Sequence, residues 1–131
     1  MAQRFGAMTF LVREYDEAVA FFTTKLGFRV VEDTPLGPDK RWVRVEPAGA
    51  GGPSLLLARA ATPEQQEAVG RQAGGRVFLF LETDDLDRDH RAMLEAGVEF
   101  LETPRRETYG TVVVFRDLYG NKWDLIEPVG R

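Results

Sequence analysis

TYGTVVVFRDLYGNKWDLIEP, residues 108–128, decides how the rest of the chain is read. β-Branched and aromatic residues flank a Gly-Asn turn signal, which predicts two strands, Thr111 to Phe115 and Lys122 to Glu127, joined by a turn on Leu118-Tyr119-Gly120-Asn121. Successive strand side chains face opposite ways, so Lys122, Asp124 and Ile126 share one side and Trp123, Leu125 and Glu127 the other. Asp124 is then an acid between a tryptophan and a leucine, in a strand with both faces largely apolar. Such a carboxylate needs a partner or a task.

Outward from this hairpin, the pattern on its N-terminal side runs strand Arg76 to Glu82, helix from Asp84 or Asp85 to Ala96, and strand Val98 to Thr103. An earlier stretch matches it. Met8 to Arg13 reads as a strand, Tyr15 opens a helix with Val19, Phe22 and Leu26 on one stripe, and Gly27 ends it. Strands follow at Phe28 to Glu32, Arg41 to Glu46 and Ser54 to Ala58, with Thr34 to Pro38 a turn and Ala48 to Pro53 a loop by composition. Phe10 and Phe80, like Gly27 and Gly97, stand 70 positions apart, so the chain is a duplication of a strand, helix, strand, strand, strand unit. Between the copies, Thr62-Pro63-Glu64-Gln65 supplies an N-cap, a proline at the first helical position and a glutamine at the capping-box position, so a short connector helix runs to about Val69. The class is α+β. Each unit has one sheet face covered by its helix and the other bare, which predicts that two such faces pair and enclose a hollow.

Composition narrows the partners. With 131 residues, 44% hydrophobic and 29% charged, the chain suits one domain or two fused half-size modules with a real core. A net charge of −4 and a pI near 5.1 argue against nucleic acid or an anionic membrane, both of which reward clustered Lys and Arg. There is no cysteine, hence no disulfide, thiolate nucleophile or Cys-based metal site, which fits a reducing compartment. The start, MAQRFGAMTF, lacks the apolar stretch of a signal peptide, and Val77 to Leu81 is too short to span a bilayer. Cytoplasm and a small-molecule partner are the expectations.

Asp16-Glu17-Ala18-Val19-Ala20-Phe21-Phe22 with Leu26-Gly27-Phe28, Arg41-Trp42, Thr83-Asp84-Asp85, Ala96-Gly97-Val98 and Asp117 through Pro128 together resemble the vicinal oxygen chelate superfamily of glyoxalase I, the bleomycin-resistance proteins and the extradiol dioxygenases. The resemblance implies one domain over 1–131, with module 1 at about 5–60, a linker helix at about 61–74 and module 2 at about 75–128. It implies two βαβββ modules pairing into a half-barrel-like, curved, eight-stranded mixed sheet around a central cavity, and a homodimer. In metal-using relatives four His, Gln or Glu ligands come from the first and last strands of each module. Carried onto this chain, those positions are Ala7, Leu56 or Leu57, Phe78 and Asp124. One carboxylate does not hold a catalytic ion that needs about three protein ligands, so no cofactor is expected.

Glu82 and Asp124 are the candidate catalytic acids. Arg76, Phe78, Phe80 and Glu82 share a strand face that the resemblance turns toward the hollow, where the two acids would converge. Burial there raises a carboxyl pKa and supplies a general base; the competing reading is a pair of structural ion pairs with Arg41, Arg44 or Arg76. His90 lies on the packed stripe of its helix and reads as structural, and Ser54 is too isolated for a Ser-His-Asp arrangement. Trp42, sharing a face with Arg44 and Glu46, and Tyr109 are the expected aromatic pocket walls, with Phe80 and Phe115 adding flat surfaces and Gln72 capping the cavity from the linker. Trp123, Phe22 and Phe10 are assigned to the core. The expected function is metal-independent binding of a small organic molecule. The alternatives are an isomerase or lyase using Glu82 or Asp124 as base, drug sequestration of the bleomycin-resistance type, and a weakly held divalent ion on Asp124, Glu82 and Glu46.

Overall fold

Alternation of buried and open residues along each strand explains the two sheets of the computed structural model, which describes residues 2–49 and 51–130. Met1, Arg131 and Ala50, the last within the loop expected at 48–53, lie outside the described residues. The chain divides into two compact units, Met1–Val69 and Gly70–Arg131.

The first unit holds β1 (Ala7–Val12), α1 (Tyr15–Ala20), β2 (Arg29–Gly37), β3 (Lys40–Glu46), β4 (Ser54–Arg59) and α2 (Pro63–Ala68). Its sheet runs β1-β4-β3-β2, with β1 parallel to β4 and the other pairs antiparallel. Phe10 meets Phe22 edge-on at 5.3 Å, and Phe22 lies 5.4 Å from Phe28, which fixes α1 on the Phe10 face together with buried Val43, Val45 and Leu57. A π-helical turn, Phe21–Lys25, extends α1. Thr62 accepts from the Gln65 amide and the Gln65 side chain accepts from the Ala61 amide, so the expected cap forms. The turn expected at Thr34 to Pro38 is instead strand: β2 continues to Gly37, with register irregularities absorbing the proline.

The second unit repeats the plan with β5 (Val77–Glu82), α3 (Leu86–Glu95), β6 (Glu99–Phe100), β7 (Arg105–Glu107), β8 (Gly110–Arg116) and β9 (Lys122–Pro128). Its sheet runs β5-β9-β8-β6, and β7 also pairs with β8. β5 is parallel to β9 as β1 is to β4, so the duplication read from the sequence carries the same topology. The strand expected at Val98 to Thr103 is shortened to β6, and β7 forms beyond its expected end. In the break, the Glu102 carboxylate accepts the Val114 amide at 3.0 Å and so takes over a ladder bond that the missing strand would have made. His90 packs edge-on to Phe100 at 4.5 Å, Phe100 touches Phe115, and Phe115 stacks on Trp123 at 5.5 Å, which places α3 and this row on one face.

Candidate functional site

Strand alternation puts Asp124 on the other face of the second sheet, opposite α3. Its neighbours across the strands are Phe80 on β5 and Val114 on β8. Asp124 is only 8% exposed, and its Oδ1 is buried with no hydrogen-bond partner. Burial pushes its carboxyl above the usual range; the positive charge of Arg105 opposes that rise and Glu102 adds to it. The acid opens onto a depression of about 520 Å³ lined by Arg76, Val77, Phe80 and Asp124. A second depression, of about 320 Å³, adjoins it across Val77 and is lined by Gly75, Leu101, Glu102, Val114 and Lys122. Phe80 is 63% exposed, a large apolar ring standing open beside a buried, unpartnered acid.

The register explains which side chains gather here. A β-bulge between Val77 and Leu79 interrupts the alternation of β5, so Val77, not the expected Phe78, lines the depressions with Phe80. Glu82 pairs with Ile126, two register positions beyond the Phe80–Asp124 row and on the same face; it is exposed and is not among the residues lining the depression. Phe115 lies on the α3 face, fully buried against Trp123, and belongs to the core, because the β8 alternation that exposes Val114 to Asp124 turns Phe115 away. Trp123, Phe22 and Phe10 are core residues as expected.

The remaining expected residues are held in place by partners. Gln72 donates its backbone N–H to Asn121 Oδ1 at 3.2 Å, which ties the linker to the β8–β9 turn. Tyr109, half exposed, hydrogen-bonds Arg105. On the first sheet, opposite α1, Glu32 accepts from Trp42 Nε1 at 2.9 Å and Arg44 Nε at 2.8 Å, and these donors hold its carboxyl below the usual range, Arg44 contributing most. Arg44 also donates to Ser54 Oγ at 2.8 Å, while Arg41 pairs with Asp33 and Asp16. The proposed arginine pairing of Asp124 and Glu82 is therefore replaced by other acids for Arg41 and Arg44.

Two contributors carried no clear signal. Glu102 and Arg105 surround Asp124 electrostatically, yet nothing in their spacing marks them. Asp117, which opens the stretch that carries the family resemblance, is 6% exposed, and its carboxylate accepts from the amides of Tyr119 and Asn121, from Asn121 Nδ2 and from Trp123 Nε1 at 2.9–3.1 Å. Burial raises its pKa, and these donors oppose the rise. Asp117 thus locks the turn that sets the start of β9, and with it the position of Asp124.

A family model for the Glyoxalase/Bleomycin resistance protein/Dioxygenase superfamily matches residues 4–125. The chain belongs to this superfamily. Among its relatives, an uncharacterized protein of Shewanella frigidimarina is 52% identical over 128 residues, covering 97% of this chain and 95% of that one. The solved structure of UcmS2 matches with a TM-score of 0.83 at 30% identity, covering 97% of this chain and 99% of that one. That of TnmS3, an antibiotic binding protein from Streptomyces sp. CB03234, matches with a TM-score of 0.77 at 29% identity, covering 97% of both.

The superfamily's metal can be tested against the residues present. The resemblance carries three of the four ligand positions onto Ala7, Leu56 or Leu57, and Phe78, whose side chains offer no donor atom, and the fourth onto Asp124. Among the described residues, no three His, Cys, Asp or Glu side chains cluster as a metal site, so the ion expected as a third reading on Asp124, Glu82 and Glu46 is not supported. The residues of this superfamily member do not fit the superfamily's catalytic ion.

Proposed function

We propose that this chain is a metal-independent binding protein that holds a small organic molecule on the face of its second sheet opposite α3, with Phe80 as apolar platform and Asp124 as polar anchor. The observation that carries the reading is the Asp124 Oδ1 atom, buried and without a partner at the edge of a depression of about 520 Å³ beside an exposed phenylalanine. A buried unpartnered acceptor costs about 1–3 kcal/mol, and a ligand hydroxyl or N–H would recover it. A concave apolar wall with one convergent polar group describes a small-molecule site. The antibiotic-binding relative supports a drug-sized ligand and a sequestering role. With the resemblance as support, the proposal includes a cytoplasmic homodimer, for which light scattering on the purified protein reads the oligomeric state. No helix among the described residues is long and apolar enough to cross a membrane.

Calorimetric titration with a panel of aromatic antibiotics and metabolites, in the presence of a chelator, tests the reading. Binding that survives the chelator, weakens about tenfold in Phe80→Ala, and returns the ligand unchanged is expected. Binding that needs added metal, or that ignores the loss of the Phe80 ring, overturns it. The raised pKa of Asp124 favours one second reading, in which Asp124 serves as the general base of an isomerase or lyase. In that case the ligand comes back chemically altered, and Asp124→Asn abolishes the change while binding persists.

A further inference from the structure

The charged groups around the two adjoining depressions are not equally available. Glu102 is engaged by Arg105 Nε at 3.0 Å and by the Val114 amide, and Arg105 is held in addition by Glu107 and Tyr109. Arg76, which lines the larger depression, and Lys122, which lines the smaller, have no ion-pair partner among the described residues. They sit together because β5 and β9 are parallel: Val77 pairs with Lys122, so Arg76 and Lys122 mark the same end of the two strands. Gly75 leaves that end open, since nothing lies within 4 Å of where a Cβ would stand. One step further along, the Phe80–Asp124 row presents the ring and the unpartnered Oδ1.

We infer that the molecule held on this face is an aromatic monoanion carrying a hydrogen-bond donor at its far end, its acid group between Arg76 and Lys122 and its hydroxyl or N–H on Asp124 Oδ1. The inference rests on the binding reading above and names the ligand class for the same site. Arg76 and Lys122, both without an ion-pair partner among the described residues, give this end of β5 and β9 a local positive character on a chain whose net charge is −4, so attraction for an anion comes from placement and not from overall basicity. Lys122 and Asp124 are two residues apart on β9, about 7 Å along the strand, a spacing that suits groups at opposite ends of one six-membered ring.

4-Hydroxybenzoate is the probe, compared with its neutral methyl ester and with benzoate by NMR-monitored titration of the intact protein at low and high salt. The acid should bind at least about tenfold more tightly than the ester or benzoate, with the advantage over the ester shrinking as salt rises. The double variant Arg76→Gln, Lys122→Gln should erase the acid-over-ester preference by weakening the acid. Both positions lie at the rim of the sheet, and far-UV circular dichroism of the variant checks that it folds. Equal affinity for acid and ester, a preference that persists in the double variant, or no binding of the acid overturns the inference. Failure of the underlying binding reading shows differently, as absence of Phe80-dependent binding for every aromatic ligand, charged or neutral.

Discussion

Asp124 and Asp117 stand seven residues apart, both are acids in the buried part of one hairpin, and their surroundings give them opposite tasks. Asp117 is surrounded by four donors and serves the turn. Asp117→Ala removes the acceptor shared by two turn amides and the Asn121 side chain and should cost about 3 kcal/mol in chemical denaturation. Asp124 has an orphan oxygen, so the fold bears the cost of its charge without return. Asp124→Asn should therefore stabilise the unliganded protein by about 1–2 kcal/mol at pH 7. Because the folded-state pKa of Asp124 lies above its unfolded value, the native chain binds that proton more readily, and this group's contribution to stability improves as pH falls through the folded pKa. The gap between wild type and Asp124→Asn, followed by thermal melts across pH, should be widest near neutrality and close toward pH ~4. A gap that widens on acidification would contradict this account.

At the scale of elements, irregularities in β5 and in the segment between β6 and β7 decide what lines the two depressions. The bulge after Val77 brings Val77 to the depressions in place of Phe78. The break between β6 and β7 leaves the Val114 amide to the Glu102 side chain, and that bond also fixes where Arg105 sits. In Glu102→Ala the Val114 amide loses its acceptor. Its hydrogen-exchange protection should fall sharply while that of the β5–β9 ladder persists, at a cost of about 1–2 kcal/mol in global stability. Neither irregularity is legible in the sequence. A bulge adds one residue without a Gly or Pro signal here, and Val98 to Thr103 has the composition of a strand longer than the two residues that pair. By contrast the β8–β9 hairpin, the capped α2 and the α3 stripe each rest on local chemistry, and each forms within a residue or two of its expected bounds.

For the whole molecule, the duplicated topology combines with the lack, among the described residues, of any cluster of three His, Cys, Asp or Glu side chains that could hold a metal. Dialysis against a strong chelator should leave the melting temperature and the ligand affinity unchanged, whereas a metal-dependent member would lose both, as differential scanning calorimetry and calorimetric titration would show. The repeat and the α+β class were determined by the sequence alone, because periodicity and turn residues are local properties that the chain carries before it folds. Which side chains share the face of Asp124 was decided only by tertiary structure. Pairing register, one bulge and the competition among Arg41, Arg44, Arg105 and their acids are non-local, and they determined that Asp124 Oδ1 is left without a partner and that Arg76 and Lys122 have no ion-pair partner among the described residues.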